Sequence, residues 1–293
     1  MTESRAGSSR DAVVVTGTST GIGAAAALHL ADEGFWVFAG VRRAADADAL
    51  AERTSGELTP LLIDITDAGM IASAVETVSQ AVGDRGIAGL VNNAGIVRPG
   101  PLEFQPMDDF RTQLEVNLFG HVAVTQAFLP LIRIGKGRLV NVGSIGGRLV
   151  LPLHGAYSAS KFAMEAVTDA FRLELREWNI HVSLVDPGGS ATAIFAKTLA
   201  SIDAMEQGLH DRGIHLYDED IPSVRALVQK TADEAAPADK VAQAIVKAMT
   251  AKKPKTRYLA GKDARAVALM AKSLPDHLKD LAVAHEANLP DPD

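Results

Sequence analysis

The sequence predicts an α/β protein with a doubly wound parallel sheet of about seven strands and helices on both faces. Short apolar runs alternate along the chain with longer helical patterns, which is typical of successive β-α-β units. The apolar runs lack an alternation of inward and outward residues, which indicates strands that are buried on both sides of a sheet. No internal repeat or low-complexity linker divides the chain, so residues 11–293 are expected to form a single domain.

Each predicted element follows from its own residues. Seven runs rich in β-branched, aromatic or leucine residues are predicted as strands, at 12–15, 35–39, 61–63, 88–91, 138–142, 180–185 and 257–259. The longer patterns between them predict helices at 24–32, 67–82, 107–134 and 157–178. Residues 190–230 break the alternation, and we expect a substrate-binding excursion over the carboxyl edge of the sheet, where ligands bind in such folds. Residues 1–10 are polar and are expected to form a disordered tail.

Composition and charge exclude several classes of function. The 293 residues carry 29 Lys and Arg against 36 Asp and Glu, and such an acidic chain without a strong basic cluster is not expected to bind nucleic acid. No apolar run approaches the ~18 residues of a membrane span, and the N-terminus lacks the apolar centre of a signal peptide, so we expect a cytoplasmic protein without an integral membrane segment. The absence of cysteine excludes disulfides and a thiol nucleophile. The histidines lack metal-ligand spacing, so no metal is expected.

A glycine-rich turn follows the first predicted strand and leads directly into a helical pattern. It reads Thr16-Gly17-Thr18-Ser19-Thr20-Gly21-Ile22-Gly23. Glycines let backbone N–H groups approach a pyrophosphate, and the N-terminus of the next helix carries a partial positive charge that favours an anion. The strand–turn–helix context therefore predicts a dinucleotide site. The alternative is a plain strand–helix connection, because tight turns need glycine in any case.

The residues after the second predicted strand indicate which dinucleotide is preferred. An Asp or Glu there would accept hydrogen bonds from the ribose 2′-hydroxyl of NAD(H). The chain has Arg42 and Arg43 instead, and guanidinium groups suit a 2′-phosphate because they donate two parallel hydrogen bonds to its oxygens. Ser19 would add a hydroxyl group. NADP(H) is therefore the preferred cofactor and NAD(H) a possible one, unless one or both arginines are simply solvated at a helix start.

Five motifs together, in this order along the chain, resemble the short-chain dehydrogenase/reductase family. They are the glycine turn, Asn92-Asn93-Ala94-Gly95, Ser144, Tyr157-x3-Lys161 and Pro187-Gly188. The resemblance covers residues 11–192 and implies a single-domain, Rossmann-type oxidoreductase. Within the family, residues 143–148 and 157–163 resemble the hydroxysteroid and retinol dehydrogenases.

The chemistry of these residues agrees with that resemblance. Tyr157 and Lys161 lie one turn apart on a predicted helix, so both project from the same face. A free tyrosine has a pKa near 10, and a neighbouring ammonium group is expected to lower that pKa. Tyr157 would then accept a proton from an alcohol or donate one to a ketone, while Ser144 would hold the substrate oxygen. The resemblance implies that Asn117 completes a catalytic tetrad by holding a water that links Lys161 to solvent.

Further contacts are implied by the resemblance. Lys161 would bind the nicotinamide ribose, and Asp64 would contact the adenine or, alternatively, cap a helix. Thr192 would bind the carboxamide, and the segment that begins at Asn92 would support the sheet and line the adenosine side. The predicted cofactor-binding residues are Gly17, Ser19, Gly21, Ile22, Gly23, Arg42, Arg43, Asp64, Asn93, Ala94, Gly95, Tyr157, Lys161, Pro187, Gly188 and Thr192. The predicted substrate-binding residues are Ser144, His154 and Tyr157.

Together these features predict hydride transfer between NADP(H) and an apolar secondary alcohol or ketone. The apolar preference follows from the resemblance to the hydroxysteroid and retinol dehydrogenases and from the apolar run at 149–153, although that run could equally be structural packing. The family resemblance also implies a homodimer or homotetramer. Two alternatives stay open: a nucleotide-sugar epimerase or dehydratase, which would share the fold and the Tyr/Lys pair, and a non-catalytic NADP(H)-sensing protein.

Overall fold

The strands in the described part of the computed structural model, residues 11–289, number nine. In chain order they are β1 (Ala12–Thr16), β2 (Trp36–Val41), β3 (Leu58–Leu62), β4 (Gly89–Asn92), β5 (Arg138–Val142), β6 (His181–Pro187), β7 (Ser190–Ala191), β8 (Ala236–Pro237) and β9 (Arg257–Ala260). Seven of them form one parallel sheet in the order β3-β2-β1-β4-β5-β6-β9. The seven-stranded parallel sheet of the sequence prediction is therefore confirmed. The predicted tail at 1–10 lies outside the described residues.

Helices connect the strands. They are α1 (Gly21–Asp32), α2 (Ala44–Ala51), α3 (Ala68–Val82), α4 (Met107–Leu114), α5 (Gly120–Ile134), α6 (Gly155–Glu174), α7 (Ala193–His210), α8 (Asp220–Asp233), α9 (Ala238–Thr250), α10 (Lys262–Ser273) and α11 (Asp276–Glu286). Within residues 11–289, none of them combines the length and the apolar character that crossing a bilayer requires.

The sheet is covered on both faces, as the uniformly apolar strands predict. Along β1, Val14 belongs to the hydrophobic cluster that includes Phe128 of α5, whereas Val13 belongs to the opposite cluster with Leu30 of α1 and Ile245 of α9. All five side chains are fully buried. Burial of each such side chain contributes about 1.5–3 kcal/mol, so both helical layers are held to the sheet chiefly by apolar contact.

The winding of the chain reverses at the centre of the sheet, between β1 and β4. From β1 the chain proceeds outward through β2 to β3, and it then crosses to β4 and continues outward the other way. Because the strands are parallel, their carboxyl ends meet at one edge, and the reversal leaves a crevice there. This crevice is where the fold places a ligand.

Two predicted helices are interrupted in the structure. The predicted helix at 107–134 is divided into α4 and α5 by a π-helical turn at Glu115–Phe119, which carries Asn117. The predicted helix at 157–178 begins two residues earlier and ends at Glu174, where a 3-10 turn at Leu175–Trp178 follows. Helix periodicity over such long stretches does not show where a single turn widens or tightens.

Residues 190–230 form a separate layer over the sheet edge. α7 and α8 pack against each other around buried side chains that include Ile202, Ile221 and Val224. The short strand β7 pairs with β8, with Ser190 opposite Ala236, and so joins the start of this segment to the residues that follow its end. The segment thus has its own small apolar core.

Candidate active site

A cleft of about 1040 Å³ opens at the carboxyl edge of the sheet and extends under α7 and α8. Of the residues predicted from the sequence, the following line this cleft: Gly17, Ser19, Gly21, Ile22, Gly23, Arg42, Asp64, Asn93, Ala94, Gly95, Ser144, His154, Tyr157, Lys161, Pro187, Gly188 and Thr192. Arg43 and Asn117 are not among the residues that line it. The structure thus brings residues from six of the seven strand ends into one space.

The glycine turn has the geometry that close approach of a phosphate requires. Gly17 and Gly21 have φ values of +69° and +61°, in the left-handed region that favours glycine. A Cβ atom at Gly23 would overlap with the carbonyl oxygen of Gly17 and the side chain of Asn93. The side-chain amide of Asn93 donates to the carbonyl oxygens of Thr16 at 2.9 Å and of Gly17 at 3.1 Å, which fixes the turn. The tight conformation of the turn therefore depends on glycine, and such a turn at the N-terminus of α1 is suited to a pyrophosphate.

The two predicted phosphate-binding arginines lie in different surroundings. Arg43 donates to both carboxylate oxygens of Asp46, at 2.7 Å and 3.1 Å, and this ion pair raises the pKa of Arg43. Arg42 lines the cleft, and its charge contributes to lowering the pKa of Asp64. That pKa is lowered chiefly because the Asp64 carboxylate accepts the backbone N–H of Thr66 at 2.9 Å. The structure therefore places one guanidinium in the cleft and holds the other against α2.

Asn92 is buried below the cleft. Its amide donates to the Thr125 hydroxyl at 2.8 Å and to the Asn141 side chain at 2.9 Å. These bonds tie β4 to β5 and α5, so the contacts of Asn92 are those of a residue that supports the sheet.

Tyr157 lies in the first turn of α6 and faces Ser144, which follows β5. Burial raises the pKa of Tyr157; the hydrogen bond with Ser144 lowers it, the charge of Asp186 raises it, and the overall shift is upward. The expected lowering by Lys161 is therefore wrong for the protein alone. The physical reason is that the Lys161 ammonium lies 5.9 Å from the centre of the Tyr157 ring, while removal of the phenol from water acts directly.

Lys161 is buried on the same face of α6. Its ammonium group donates to the carbonyl oxygen of Val142 at 3.0 Å. Burial lowers the pKa of Lys161 to about 8, and the charge of Asp186 opposes this change. Since an ammonium group has three protons, donation to Val142 leaves two for a ligand in the cleft.

Asn117 anchors the segment that follows β4. Its side chain accepts the backbone N–H of Ile96 at 2.9 Å and donates to the carbonyl oxygen of Ile96 at 3.0 Å. It also donates to Ser160 at 3.2 Å, and Ser160 donates to the carbonyl oxygen of Tyr157 at 2.6 Å. The π-helical turn thus connects the cleft wall to the helix that carries Tyr157.

The end of the cleft that is predicted to take the substrate has a wall of apolar and polar residues. His154 lies edge-on to Tyr157 with the ring centres 6.4 Å apart, and burial lowers the pKa of His154, which favours a neutral imidazole. The excursion at 190–230 contributes apolar residues to this wall. The apolar lining residues here are Leu151, Ile194, Phe195, Leu227 and Val228.

Two carboxylates beside the cleft were missed by the sequence analysis. Asp186 ends the apolar run of β6 just before Pro187, and its side chain is fully buried. Asp263, in α10, accepts the backbone N–H of Gly189 at 2.6 Å. The position of Asp186 inside an apolar strand was a sequence signal that its carboxylate is buried. The residues around Asp263 gave no such signal.

Two histidines and an aspartate form a cluster outside the cleft lining, although the sequence analysis found no metal-ligand spacing among the histidines. His210, His215 and Asp218 have ligand atoms that all lie within 4.8 Å of one another. Both imidazoles bond to the Asp218 carboxylate, at 2.7 Å and 3.0 Å. Such atoms are able to ligate a metal ion, and the spacing of the histidines alone did not indicate the arrangement because Asp218 completes it.

Comparison with known proteins agrees with this geometry. The family model described as short chain dehydrogenase matches residues 11–203. The chain is 35% identical to the NADPH-dependent 3-dehydrocapnine reductase of Ornithobacterium rhinotracheale, over 84% of this chain and 86% of that protein. It is 34% identical to retinol dehydrogenase 7 of Rattus norvegicus, over 92% and 87%. A crystal structure of a short-chain dehydrogenase from Streptomyces avermitilis superposes with a TM-score of 0.73 at 26% identity, over 96% of this chain and 97% of that one.

The chain therefore belongs to the short-chain dehydrogenase family. It is an oxidoreductase, and the resemblance to the hydroxysteroid and retinol dehydrogenases is confirmed.

Proposed function

We propose that the protein transfers a hydride between NADP(H) and an apolar secondary alcohol or its ketone, with Tyr157 as the general acid and base. The observation that carries this proposal is that Ser144 and Tyr157 line the same cleft at the sheet edge. Both residues lie beside Lys161 and share one cleft with the glycine turn.

The cofactor would lie along the carboxyl edge of the sheet. Its pyrophosphate would meet the N-terminus of α1, and Arg42 would bind the 2′-phosphate. Lys161 would donate to the nicotinamide ribose with the protons that Val142 does not take. The bound nicotinamide supplies or accepts the hydride. The NADPH dependence of the 3-dehydrocapnine reductase supports NADP(H) as the cofactor.

Proton transfer would depend on Tyr157 and Ser144. Because burial raises the pKa of Tyr157, the phenol is protonated at neutral pH and is able to donate to a ketone oxygen as the hydride arrives. Ser144 would donate to the same oxygen and stabilise its developing charge. In alcohol oxidation the same proton would move in the opposite direction. Asn117 would act from outside the cleft, by holding a water that connects Lys161 to solvent.

The substrate would be apolar around the reacting carbon. Ile194, Phe195, Leu227 and Val228 from the excursion form an apolar part of the cleft wall, and burial favours a neutral His154, while Lys197 supplies one charged group to the same lining. Burial of apolar substrate surface against this wall would supply most of the binding free energy.

We also propose a cytoplasmic homodimer or homotetramer. Large apolar side chains exposed on the outer helices support association: Ile134 on α5, and Phe162 and Leu173 on α6. The cytoplasmic location is supported by the absence of cysteine.

A screen of ketones and alcohols of graded size tests the proposed function. Oxidation of NADPH or reduction of NADP⁺ would be followed by the absorbance of the reduced nicotinamide, with the Tyr157→Phe variant as the control. Turnover that requires Tyr157 and improves with apolar size is expected. Turnover that the variant retains in full would refute the role of Tyr157. Nucleotide retained through purification would favour the epimerase alternative instead.

A further inference from the structure

Beside the cleft, one guanidinium group joins two carboxylates from different segments. Arg148 Nη2 lies 2.8 Å from Asp186 Oδ2 and 2.6 Å from Glu165 Oε1, and Arg148 Nε donates to the same Asp186 oxygen at 3.1 Å. The exposed fraction of the side chain is 24% for Arg148, 16% for Glu165 and 0% for Asp186. Water screens such charges weakly, so removal of one member leaves a costly uncompensated charge. We call these three residues the Arg148 clamp.

Each member of the clamp is close in sequence to a part of the proposed active site. Arg148 ends the short 3-10 turn that begins just after Ser144. Glu165 lies one helical turn beyond Lys161 on α6. Asp186 ends the apolar part of β6, directly before the turn at 187–189. This turn contains the predicted cofactor contacts Pro187 and Gly188, which would pass close to the nicotinamide, and we call it the nicotinamide turn. The clamp therefore joins the three segments on which Ser144, the Tyr/Lys pair and the nicotinamide turn depend.

Asp186 is buried and packs closely against Gly143. Its Oδ1 atom is buried and has no hydrogen-bond partner among residues 11–289. A Cβ atom at Gly143 would overlap with that oxygen, so Asp186 packs directly beneath the residue before Ser144. A displaced Asp186 would therefore also displace the backbone that carries Ser144.

We propose that Arg148 is a positioning residue, whose ion pairs with Asp186 and Glu165 hold Ser144, the start of α6 and the end of β6 in the arrangement that hydride transfer needs. This inference rests on the proposed function, because it assigns Arg148 a part in that reaction. Arg148 acts through its two carboxylate partners and does not line the cleft itself.

The clamp also sets the charge near the catalytic pair. Burial and the charge of Glu165 raise the pKa of Asp186 to about 6, and the Arg148 guanidinium opposes this change. The charge of Asp186 in turn raises the pKa of both Lys161 and Tyr157. Loss of the Arg148 cation would leave the carboxylates less compensated at alkaline pH, and this raises the pKa of the Tyr157 phenol further.

Arg257, at the start of β9, offers a matched control because it pairs with carboxylates of the same helix, α6. It contacts Glu165 Oε2 at 2.6 Å and Asp169 Oδ2 at 2.9 Å, and its side chain is 29% exposed. Arg257 therefore resembles Arg148 in charge, burial and carboxylate partners. It ties β9 to α6 and makes no ion pair with Asp186, so its loss should lower stability without moving the Ser144 segment.

The experiment compares Arg148→Met with Arg257→Met in the full chain. In Arg148→Met we expect kcat to fall about tenfold to hundredfold, since misplacement of reacting groups by about 1 Å has effects of this size. The Kd of NADPH, from fluorescence titration, should change less than about threefold, because the glycine turn is untouched. Arg257→Met should lower the midpoint of urea unfolding comparably and leave kcat within about threefold of wild type. Arg148→Lys should have a higher kcat than Arg148→Met, because lysine restores the positive charge. It should not reach the wild-type kcat, because an ammonium group lacks the planar set of donors with which the guanidinium binds carboxylates.

A second readout does not require turnover. The chain has three tyrosines, so the ultraviolet titration of each protein with and without Tyr157→Phe isolates the pKa of Tyr157. Arg148→Met should raise this pKa, whereas Arg257→Met should leave it in place. If the wild-type protein turned over no alcohol or ketone, the proposed function would fail. The titration alone would then show whether Arg148 controls the environment of Tyr157.

Three results would overturn the inference. The first is a folded Arg148→Met variant that keeps kcat within threefold of wild type. The second is an equal loss of kcat in Arg257→Met at an equal loss of stability. The third, where turnover is absent, is a Tyr157 pKa that Arg148→Met does not move. If Arg148→Met does not fold, Arg148→Gln is judged by the same criteria, since the neutral amide removes the charge and cannot bridge both carboxylates as the guanidinium does.

Discussion

Asp263 accepts a hydrogen bond from the backbone N–H of Gly189 across 2.6 Å, although 74 residues separate the two in the chain. Asp263 lies in the first turn of α10, and Gly189 lies in the turn after β6. A Cβ atom at Gly188 would overlap with the same carboxylate, so α10 packs directly against this turn. The contact therefore anchors the predicted nicotinamide turn from a part of the chain beyond the residues that the family model matches.

Substitution Asp263→Ala should loosen that turn. We expect the KM for NADPH to rise severalfold and the free energy of unfolding to fall by about 1–3 kcal/mol, because a charged acceptor of a backbone N–H is lost. Steady-state kinetics and urea unfolding measure the two effects. Asp276→Ala is the control: Asp276 begins α11, its side chain is 94% exposed, and it pairs only locally with Lys279. Equal effects of the two substitutions on KM would contradict the assignment.

Substitution Tyr157→Phe should remove the proton donor while the cleft keeps its shape. We expect kcat to fall about 10²–10⁴-fold, which is the usual contribution of a positioned acid or base. The Kd of NADPH should stay nearly unchanged, because Tyr157 lies at the substrate end of the cleft. Stopped-flow absorbance and fluorescence titration measure these quantities. A variant that retains more than a tenth of wild-type kcat would be inconsistent with Tyr157 as the acid.

The two neighbouring arginines should differ in their effect on cofactor choice. Arg42→Glu is expected to raise the KM for NADPH far more than the KM for NADH, because it places a negative charge where the 2′-phosphate would bind. Arg43→Glu should have a much smaller effect on this ratio, since Arg43 is already paired with Asp46. The ratio of kcat/KM for the two nucleotides is the measurement. A larger change of this ratio in the Arg43 variant than in the Arg42 variant would assign the 2′-phosphate to Arg43 instead of Arg42.

His121 should make the protein sensitive to acid. Burial, and then the charge of Lys161, lower the pKa of His121 to about 3, whereas the pKa in the unfolded chain is near 6.5. The unfolded chain binds more protons between these values, so stability is complete above about pH 6.5 and is lost as the pH falls toward 3. His121→Gln, which is able to keep the bond to the carbonyl oxygen of Ala94, should lose about 3 kcal/mol less between pH 7 and pH 4. Urea unfolding at these pH values tests it, and parallel curves for the two proteins would exclude His121 as the cause.

The fold could be predicted from the sequence because its signals are local. Uniformly apolar strands such as 138–142 are enough to indicate burial on both faces, and the observed β5 has the same bounds. The glycine turn could be predicted for the same reason, because the positive φ at Gly17 and Gly21 favours glycine, and glycine is visible in the sequence. The family resemblance added predictions that residue spacing alone does not give, above all the prediction that Asn117 belongs to the catalytic tetrad.

The rest of the site depends on contacts between distant residues. No local rule distinguishes Arg42 from Arg43, because the outcome depends on where the Asp46 carboxylate lies once α2 has formed. The direction of the Tyr157 pKa shift depends on burial by the finished fold, and a one-turn spacing to Lys161 does not contain that information. The cofactor and substrate assignments of the individual residues stay predictions until the variants above are measured.

The pairing of β7 with β8 has a consequence for how new specificities could arise. Ser190 and Ala236 lie opposite each other, so the segment that leaves the sheet edge after Ser190 returns beside its starting point at Ala236. The residues between them include α7 and α8, whose apolar cluster also contains Leu153, so the segment meets the rest of the molecule at this strand pairing and at further contacts. We therefore expect exchange of residues 193–235 between relatives to change the molecules that are accepted while the predicted cofactor contacts are kept.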